Sequence, residues 1–297
     1  MNRRALFIAL YLAPALLFYG LFVCIPVFQS FSFATYRWRG ISSHVTYVGT
    51  ENYSRLIGDP VFHKVLVNSL YMLGVGGLAI VGISLLIAHA MQGRGRLAQF
   101  MRSIYLFPQV ISLVAVALLW QFIFNPAYGL LNGLLSLFGL QRLTHAWLGE
   151  PGTAMPCVLV AFCWYAVGFY IMLFSAGIRA IGQEIGESAM LDGASGFRRF
   201  MKVTWPMLWV TRRTAVVYLL INVMNVFALV FIMTNGGPDR ATEMPLTYLY
   251  EIAMKNYEFG EATALAVLYF VLIMAVSLFI LWLFRKNPET SSGPVAS

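Results

Sequence analysis

Six stretches of this chain carry no Asp, Glu, Lys or Arg, and polar and basic residues fill the gaps between them. They run from Ala5 to Tyr36, Val65 to Gly93, Ser103 to Gln141, Pro151 to Ile178, Thr214 to Pro238 and Ala262 to Phe284. Each reaches the roughly 20 apolar residues that a helix needs to cross the hydrocarbon core. In lipid such a stretch has to be helical, because its backbone groups find no water to bond. The pattern predicts an all-α polytopic membrane protein with six transmembrane helices, forming a single domain over residues 1–297. The third stretch is long enough to invite a second crossing, but Asn125-Pro126 breaks it. The remaining piece, Tyr128 to Leu140 with Gly129, Gly133 and Gly139, is too short to span. It is expected to be an extra interfacial or re-entrant helix on the outer side.

Composition agrees with a membrane protein. Hydrophobic residues make up 60% of the chain and charged residues 11%, and the mean hydropathy is +0.75. The formal charge of +8 does not point to nucleic acid, because the cations mark topology. Thirteen fall on one side: Arg3, Arg4, Arg94, Arg96, Arg102, Arg179, Arg198, Arg199, Lys202, Arg212, Arg213, Arg285 and Lys286. Seven fall on the other: Arg37, Arg39, Arg55, Lys64, Arg142, Arg240 and Lys255. The positive-inside rule then places both termini and the segment 179–213 in the cytoplasm. The opening MNRR resembles the start of a secretory leader, but the apolar run behind it is too long and too aromatic and has no clear small-residue cleavage site. Cys24, Cys157 and Cys163 all lie within predicted spans and imply neither a disulfide framework nor a metal site.

Small and polar residues distinguish the spans. The first carries Pro14 and Pro26 and reads as a peripheral, lipid-facing helix. The second has Gly74, Gly76, Gly77, Gly82 and Ser84, a face that lets another helix approach closely. Gln92-Gly93-Arg94-Gly95-Arg96 reads as a tight inner turn, and residues 287–297 as a disordered tail. The fifth span places Tyr218, Asn222 and Asn225 at spacings of four and three, on one helical face. Amides at that depth face a bundle interior. They serve either as hydrogen bonds between helices or as the polar wall of a translocation path, and Trp164, Tyr165 and Tyr170 of the fourth span are further candidates for that wall.

The segment 179–213 is a polar and basic island. Gln183 to Ala194 can form a short helix, and Gly193 is suited to end it because glycine takes the left-handed conformation at low cost. Ser188, Ala189, Gly193 and Ala194 are small enough for a partner surface to come close to the backbone. Glu184, Glu187 and Asp192 are the acids of the segment, set among six cations. They suit contacts with basic residues of a partner in a helix-in-groove mode. Phe197, Phe200, Trp205 and Trp209 would anchor the segment at the interface. An ordinary amphipathic connector is the plainer reading of the same residues.

Glu187-Ser188-Ala189, three residues including Asp192, Gly193, nine residues, then Val203-Thr204-Trp205-Pro206 form a pattern. It resembles the EAA loop of the membrane subunits of binding-protein-dependent ABC importers: Glu-Ala-Ala, any three, Gly, any nine, Ile, any, Leu-Pro. Ser188 stands for an alanine, Val203 for isoleucine and Trp205 for leucine, so the likeness is carried by Glu187, Ala189, Gly193 and Pro206. Three further segments are similar to the carbohydrate-uptake permeases of this kind: Asn125 to Asn132, Thr234-Asn235-Gly236-Gly237-Pro238 with Thr242, and Gly260 to Ala264.

The resemblance implies a subunit that forms half of the translocation path for a sugar, an oligosaccharide or a glycerol-phosphate-like solute. Glu187, Ser188, Ala189, Asp192, Gly193, Ala194 and Pro206 would couple it to an ATPase through a cytoplasmic coupling helix. It implies a second, different permease, two ATPase subunits, an extracytoplasmic solute-binding protein and a bacterial or archaeal inner membrane. ATP and Mg would sit on the partner ATPase, with no cofactor or metal on this chain. The chain has no P-loop, since its lysines follow His63, Met201, Met254 and Arg285 and no Gly-Lys pair exists. A membrane enzyme is disfavoured because His44, His63, His89 and His145 are scattered, without HExxH or a close carboxylate partner. The alternative is an ion- or proton-coupled secondary carrier, which usually carries ionisable residues inside its spans. None of Asp, Glu, Lys or Arg occurs in the six cores.

Overall fold

A computed structural model describes residues 3–40, 44–91, 96–194 and 196–285. Residues 92–95 of the turn expected at 92–96, and the tail expected at 287–297, lie outside the described residues. The chain is helical almost throughout. One two-residue strand pair is present among the described residues, β1 (Tyr36–Arg37) against β2 (Thr46–Tyr47), antiparallel.

Four helical stretches are long and apolar enough to cross a membrane: Leu10–Phe33, Pro60–Ala90, Pro151–Ala180 and Phe259–Leu283. Two further pairs of helices pass the same test only together and are sharply bent, each a broken span or a re-entrant loop. Ile104–Val110 meets Leu113–Ile123 at 110°, and Gly196–Met207 meets Trp209–Met224 at 72°. The third and fifth predicted spans are therefore not continuous helices. In the third, Ser112 leaves the helical region (φ −56°, ψ 136°) four residues after Pro108, whose missing N–H weakens the ladder. The fifth starts earlier than predicted, at Trp209, so Arg212 and Arg213 lie inside a helix. It stops at Met224, and a separate short helix comes next at Ala228–Met233.

Two of the helical joins precede a proline. Within the first span, α1 (Arg3–Tyr19) passes into α2 (Ile25–Phe33) through a wide turn at Gly20–Cys24, where the Ile25 N–H reaches back to the Gly20 carbonyl. Pro26 comes next and has no N–H to donate. The same wide turn at Phe200–Thr204 precedes Pro206, and there the Trp205 N–H reaches Phe200. Widening the register by one residue is a known local accommodation in helices.

The chain divides into two compact units. The first comprises residues 1–62 and 248–272. In it the strand pair and α3 (Glu51–Gly58) are held by the buried Asn52, whose amide donates to Ala34 and Tyr36 carbonyls at 2.8 and 3.0 Å. The apolar window of Leu10–Phe33 has no buried share, while Ala34 just after it is fully buried. The second unit comprises residues 63–247 and 273–297 and holds the main core. The second span is built from α4 (Pro60–Tyr71), a wide turn at Met72–Gly76 and α5 (Gly77–Ala90). The third is α6 (Arg96–Val110) and α7 (Leu113–Ile123). The short piece after Asn125-Pro126 forms α8 (Leu130–Leu137), eight residues with none buried. The centre of the unit is α9 (Pro151–Ala180), with Val158, Phe162, Tyr170 and Phe174 almost wholly buried.

Against α9 pack α5, α6, α7, and beyond the segment 181–208 also α13 (Trp209–Met224) and α14 (Ala228–Met233). The small face of the second span is used in part. A Cβ on Gly76 would lie 2.5 Å from Leu159, and one on Gly77 would lie 2.8 Å from Leu219, while Ser84 Oγ donates to the Val167 carbonyl at 3.1 Å. A Cβ on Gly74 or Gly82 would meet no neighbour within 4 Å among the described residues. Gly168 of α9 lies directly on the α6 backbone, since a Cβ there would fall 2.0 Å from the Tyr105 carbonyl oxygen. The last helices are α15 (Pro245–Tyr250) and α16 (Phe259–Leu283).

Candidate functional site

Two places in the second unit bring predicted residues together. One is the helix α10 (Gln183–Leu191) with the segment behind it, α11 (Gly196–Arg199) and α12 (Trp205–Met207). Gly182 opens α10 in an extended conformation. Asp192 caps it, Gly193 turns left-handed (φ 76°), and two backbone bonds close the end, Gly193 N–H to Met190 and Ala194 N–H to Ala189. These are the paired bonds of a Schellman stop. A side chain at position 193 would meet no neighbour, so its requirement for glycine is conformational.

Ala189 is 8% exposed and faces inward, while Glu184, Glu187, Ser188, Leu191 and Asp192 are exposed. At 100° per residue, Glu184, Glu187, Ser188 and Leu191 share one outward stripe. Leu191 is 90% exposed. Behind the helix lies a cavity of about 270 Å³ lined by Ile178, Ile181, Gly182, Gly186, Glu187, Met190, Arg199, Val203 and Thr204. The two halves of the sequence pattern, Glu187 and Val203, thus border one hollow. Pro206 sits in the first turn of α12, where no N–H is needed.

Two of the four expected anchors, Phe200 and Trp205, pack against the core, and Trp209 lies on Phe284. Phe200 lies 4.9 Å from the His89 ring and 6.4 Å from Trp205, and Trp209 lies 4.6 Å from Phe284. Phe197 is 76% exposed instead.

The other place is a polar hollow between α6, α9 and α13. Gln109, Phe162, Tyr165, Ala166, Phe169, Tyr170, Tyr218 and Asn222 line it, and none is charged. Gln109 Nε2 donates to the Tyr165 carbonyl at 2.6 Å, and the Asn222 amide to the Tyr218 carbonyl at 2.9 Å. Tyr218 stacks on Phe169 at 4.5 Å. Tyr170 is 1% exposed, and its hydroxyl has no hydrogen-bond partner in bonding geometry among the described residues. The Asn222 side chain interacts with that hydroxyl, so the two polar groups belong to one side of the hollow.

Two of the residues expected on the path do not line this hollow. Asn225 caps α13 (φ −98°, ψ 9°) rather than continuing its face, and its amide donates back to Ile221 at 2.8 Å. Trp164 points away and packs edge-on against Trp120 at 5.9 Å. Tyr165 and Tyr170, both expected candidates, do line the hollow, whereas Gln109 and Phe169, which also line it, were not singled out. The i, i+4 and i+5 placement of Tyr165, Phe169 and Tyr170 on α9 was the available signal.

Two polar clusters also escaped sequence reasoning. His145 does have a carboxylate partner, Glu150, at 3.0 Å, with Glu150 also accepting from the Ala146 N–H. Beside them Trp147 Nε1 donates to Asn132 at 2.7 Å. The second cluster closes the Thr234–Pro238 turn. Thr242 Oγ1 lies 2.6 Å from Thr234 Oγ1 and donates to Gly237. Glu243, 2% exposed, is bonded by Arg240 at 2.9 Å, and Asn68 donates to the Glu243 and Arg240 carbonyls. A Cβ at Gly236 (φ 83°) would fall 2.3 Å from the Glu243 carboxylate.

The chain matches known proteins over most of its length. Residues 80–287 match the family described as "Binding-protein-dependent transport system inner membrane component". The chain is 36% identical to a probable ABC transporter permease protein of Bacillus subtilis, over 97% of this chain and 99% of that one. It is 35% identical to a diacetylchitobiose uptake system permease protein of Streptomyces coelicolor, over 98% and 84%. In fold it is similar, with a TM-score of 0.82 at 22% identity and 95% coverage of both chains, to a chain in the solved structure of a bacterial alginate ABC transporter. That transporter is in complex with an alginate pentasaccharide-bound periplasmic protein.

Proposed function

Because this chain belongs to the family of inner membrane components of binding-protein-dependent transport systems, we propose that α10 docks an ATPase subunit and that the Tyr170 hollow lines the path of an uncharged saccharide. The observation that carries the first part is the exposed stripe Glu184, Glu187, Ser188 and Leu191 on a helix with a firm glycine stop. An acid-flanked leucine on such a stripe is the kind of anchor that a helix-in-groove contact uses. Movement of the docked helix would then pass through Phe200, Trp205 and the 72° bend into α13, which carries Tyr218 and Asn222.

The second part rests on the neutral lining. Aromatic faces and amides pack against sugar rings and bond their hydroxyls, and Tyr170 and Asn222 place polar groups on one side of the hollow. A phosphate or uronate would find no cation among the lining residues to offset its desolvation. This favours a neutral sugar or oligosaccharide over a glycerol-phosphate-like solute. A diacetylchitobiose permease among the relatives is consistent with that class. A second, different permease, two ATPases and an outer binding protein complete the assembly in this reading, with both termini of the chain in the cytoplasm.

Purification from the native membrane in mild detergent, followed by mass spectrometry of the accompanying chains, tests the assembly. Glu187→Lys and Gly193→Asp should keep the chain in the membrane, weaken ATPase co-purification and lower uptake at least about ten-fold, equivalent to about 1.4 kcal/mol. Normal co-purification and uptake in both variants would remove α10 from the coupling role. Tyr170→Phe should lower saccharide uptake while ATPase co-purification stays normal, which separates the path from the docking surface.

A further inference from the structure

The inner end of the second unit holds an arginine, Arg212, to which the transport reading gives no part. The Arg212 guanidinium carbon lies 4.1 Å over the Trp205 ring and 5.5 Å from the Trp209 ring. Its Nε is buried and has no hydrogen-bond partner among the described residues. No salt bridge to Arg212, Arg213 or Arg285 occurs among the described residues, where the six ion pairs all involve other side chains. A cation held by two indoles in this way has its position fixed while its charge stays uncompensated.

A second observation gathers more charge at the same corner. The Trp209 indole N–H donates to the Phe284 carbonyl at 3.1 Å, and the two rings lie 4.6 Å apart. That bond brings the end of α16 beside the start of α13, so Arg285, exposed and next to Phe284, joins Arg212 and Arg213. Trp282, 62% exposed and stacked on Phe279, adds another indole at this level. Indoles and arginines together are what a protein places at the boundary between acyl chains and headgroups.

We infer that Arg212, clamped by Trp205 and Trp209 and flanked by Arg213 and Arg285, binds the phosphate of an anionic phospholipid in the inner leaflet. The planar guanidinium fork matches phosphate oxygens and is less strongly hydrated than an ammonium. The negative surface potential of the cytoplasmic leaflet favours such contacts. A soluble phosphate offers the same oxygens but has no chains to lie against the exposed apolar surface that Phe279 and Trp282 provide. Arg212 lines neither the saccharide hollow nor α10, and lipid retention is read without uptake or ATPase co-purification, so failure here and failure of the transport reading are distinguishable.

The test uses the protein as purified from its membrane with whatever chains accompany it. The sample is placed in nanodiscs containing equal phosphatidylglycerol and phosphatidylcholine, then extracted in detergent, and retained lipid is counted by native mass spectrometry. Wild type should retain phosphatidylglycerol preferentially. Arg212→Gln should reduce that retention about five-fold, the effect expected of one basic residue at the surface, and Arg212→Lys should restore part of it. Arg198→Gln, another inner cation, should leave it unchanged. Where Arg212→Gln fails to fold, the wild-type preference and the Arg212→Lys partial loss still decide the matter. Equal retention of the two lipids would overturn the inference, as would an equal loss in Arg198→Gln. Displacement of the lipid by free glycerol phosphate would also overturn it, by making this a soluble-phosphate site.

Discussion

Cations are treated differently in two regions of this chain. Those that the positive-inside rule assigns outside are largely tied down. Arg37 and Arg55 both reach Glu51, Arg55 also meets Glu261 at 3.1 Å, Arg39 lies 3.5 Å from Glu258, and Arg240 bonds Glu243. Those assigned inside, Arg179, Arg198, Arg199, Lys202, Arg212, Arg213 and Arg285, form no salt bridge with any described residue. The difference cannot be read as strength alone, because exposed ion pairs contribute only about 0–1 kcal/mol. It teaches where partners are expected. A loop that closes on itself neutralises its own charge, whereas a surface that meets lipid and other proteins leaves charge for them.

The largest effect is expected at Glu243, the most buried acid of the paired set. Glu243→Ala removes the carboxylate that Arg240 bonds inside the Thr234–Pro238 turn. Loss of a buried partner costs about 3–5 kcal/mol. With the Arg240 side chain 38% exposed, the lower end applies, and denaturant titration in detergent should show it. Next comes a matched pair of substitutions. Arg55→Gln should destabilise by up to about 1 kcal/mol, while Arg198→Gln should stay within about 0.5 kcal/mol. Equal losses in the two would erase the distinction between paired and unpaired charge.

The smallest effect is in pH. The Arg55 guanidinium bonded to Glu51, with Arg37 beside it, holds the Glu51 carboxyl below its ordinary value of 4.5. A depressed carboxyl stabilises the fold above its unfolded pKa, and that contribution is lost as pH falls through the lower folded value. The difference in thermal stability between wild type and Glu51→Gln should therefore be constant near neutrality and vanish in acid well below 4.5. A difference that persisted at the acid end would mean that Glu51 acts through packing rather than charge.

The residues that were legible in the sequence are those whose chemistry allows one answer. Gly193 had to end a helix, and it does so with φ 76°. Apolar length alone located the regions that cross, although it could not register where they bend. Ile111 and Ser112 look like any other residues of an apolar run, yet the axis turns 110° there. For the same reason Asn225 was placed on a helical face that stops one residue before it. Periodicity assumes that the helix continues, and lipid-compatible composition does not reveal a break that neighbouring helices satisfy. His145 and Glu150 were missed because their pairing crosses a loop, where spacing has no fixed geometric meaning.

Gly168 rests on the Tyr105 carbonyl with no side chain between them. Where two helices meet through side chains, rotamers can rearrange and let them slide. Main chain lying on main chain has no rotamers to exchange, so the contact between α6 and α9 behaves as a rivet. Probes attached at their outer faces beside this point should keep a single, narrow distance distribution through the whole working cycle, a fixed ruler against which every moving part can be measured.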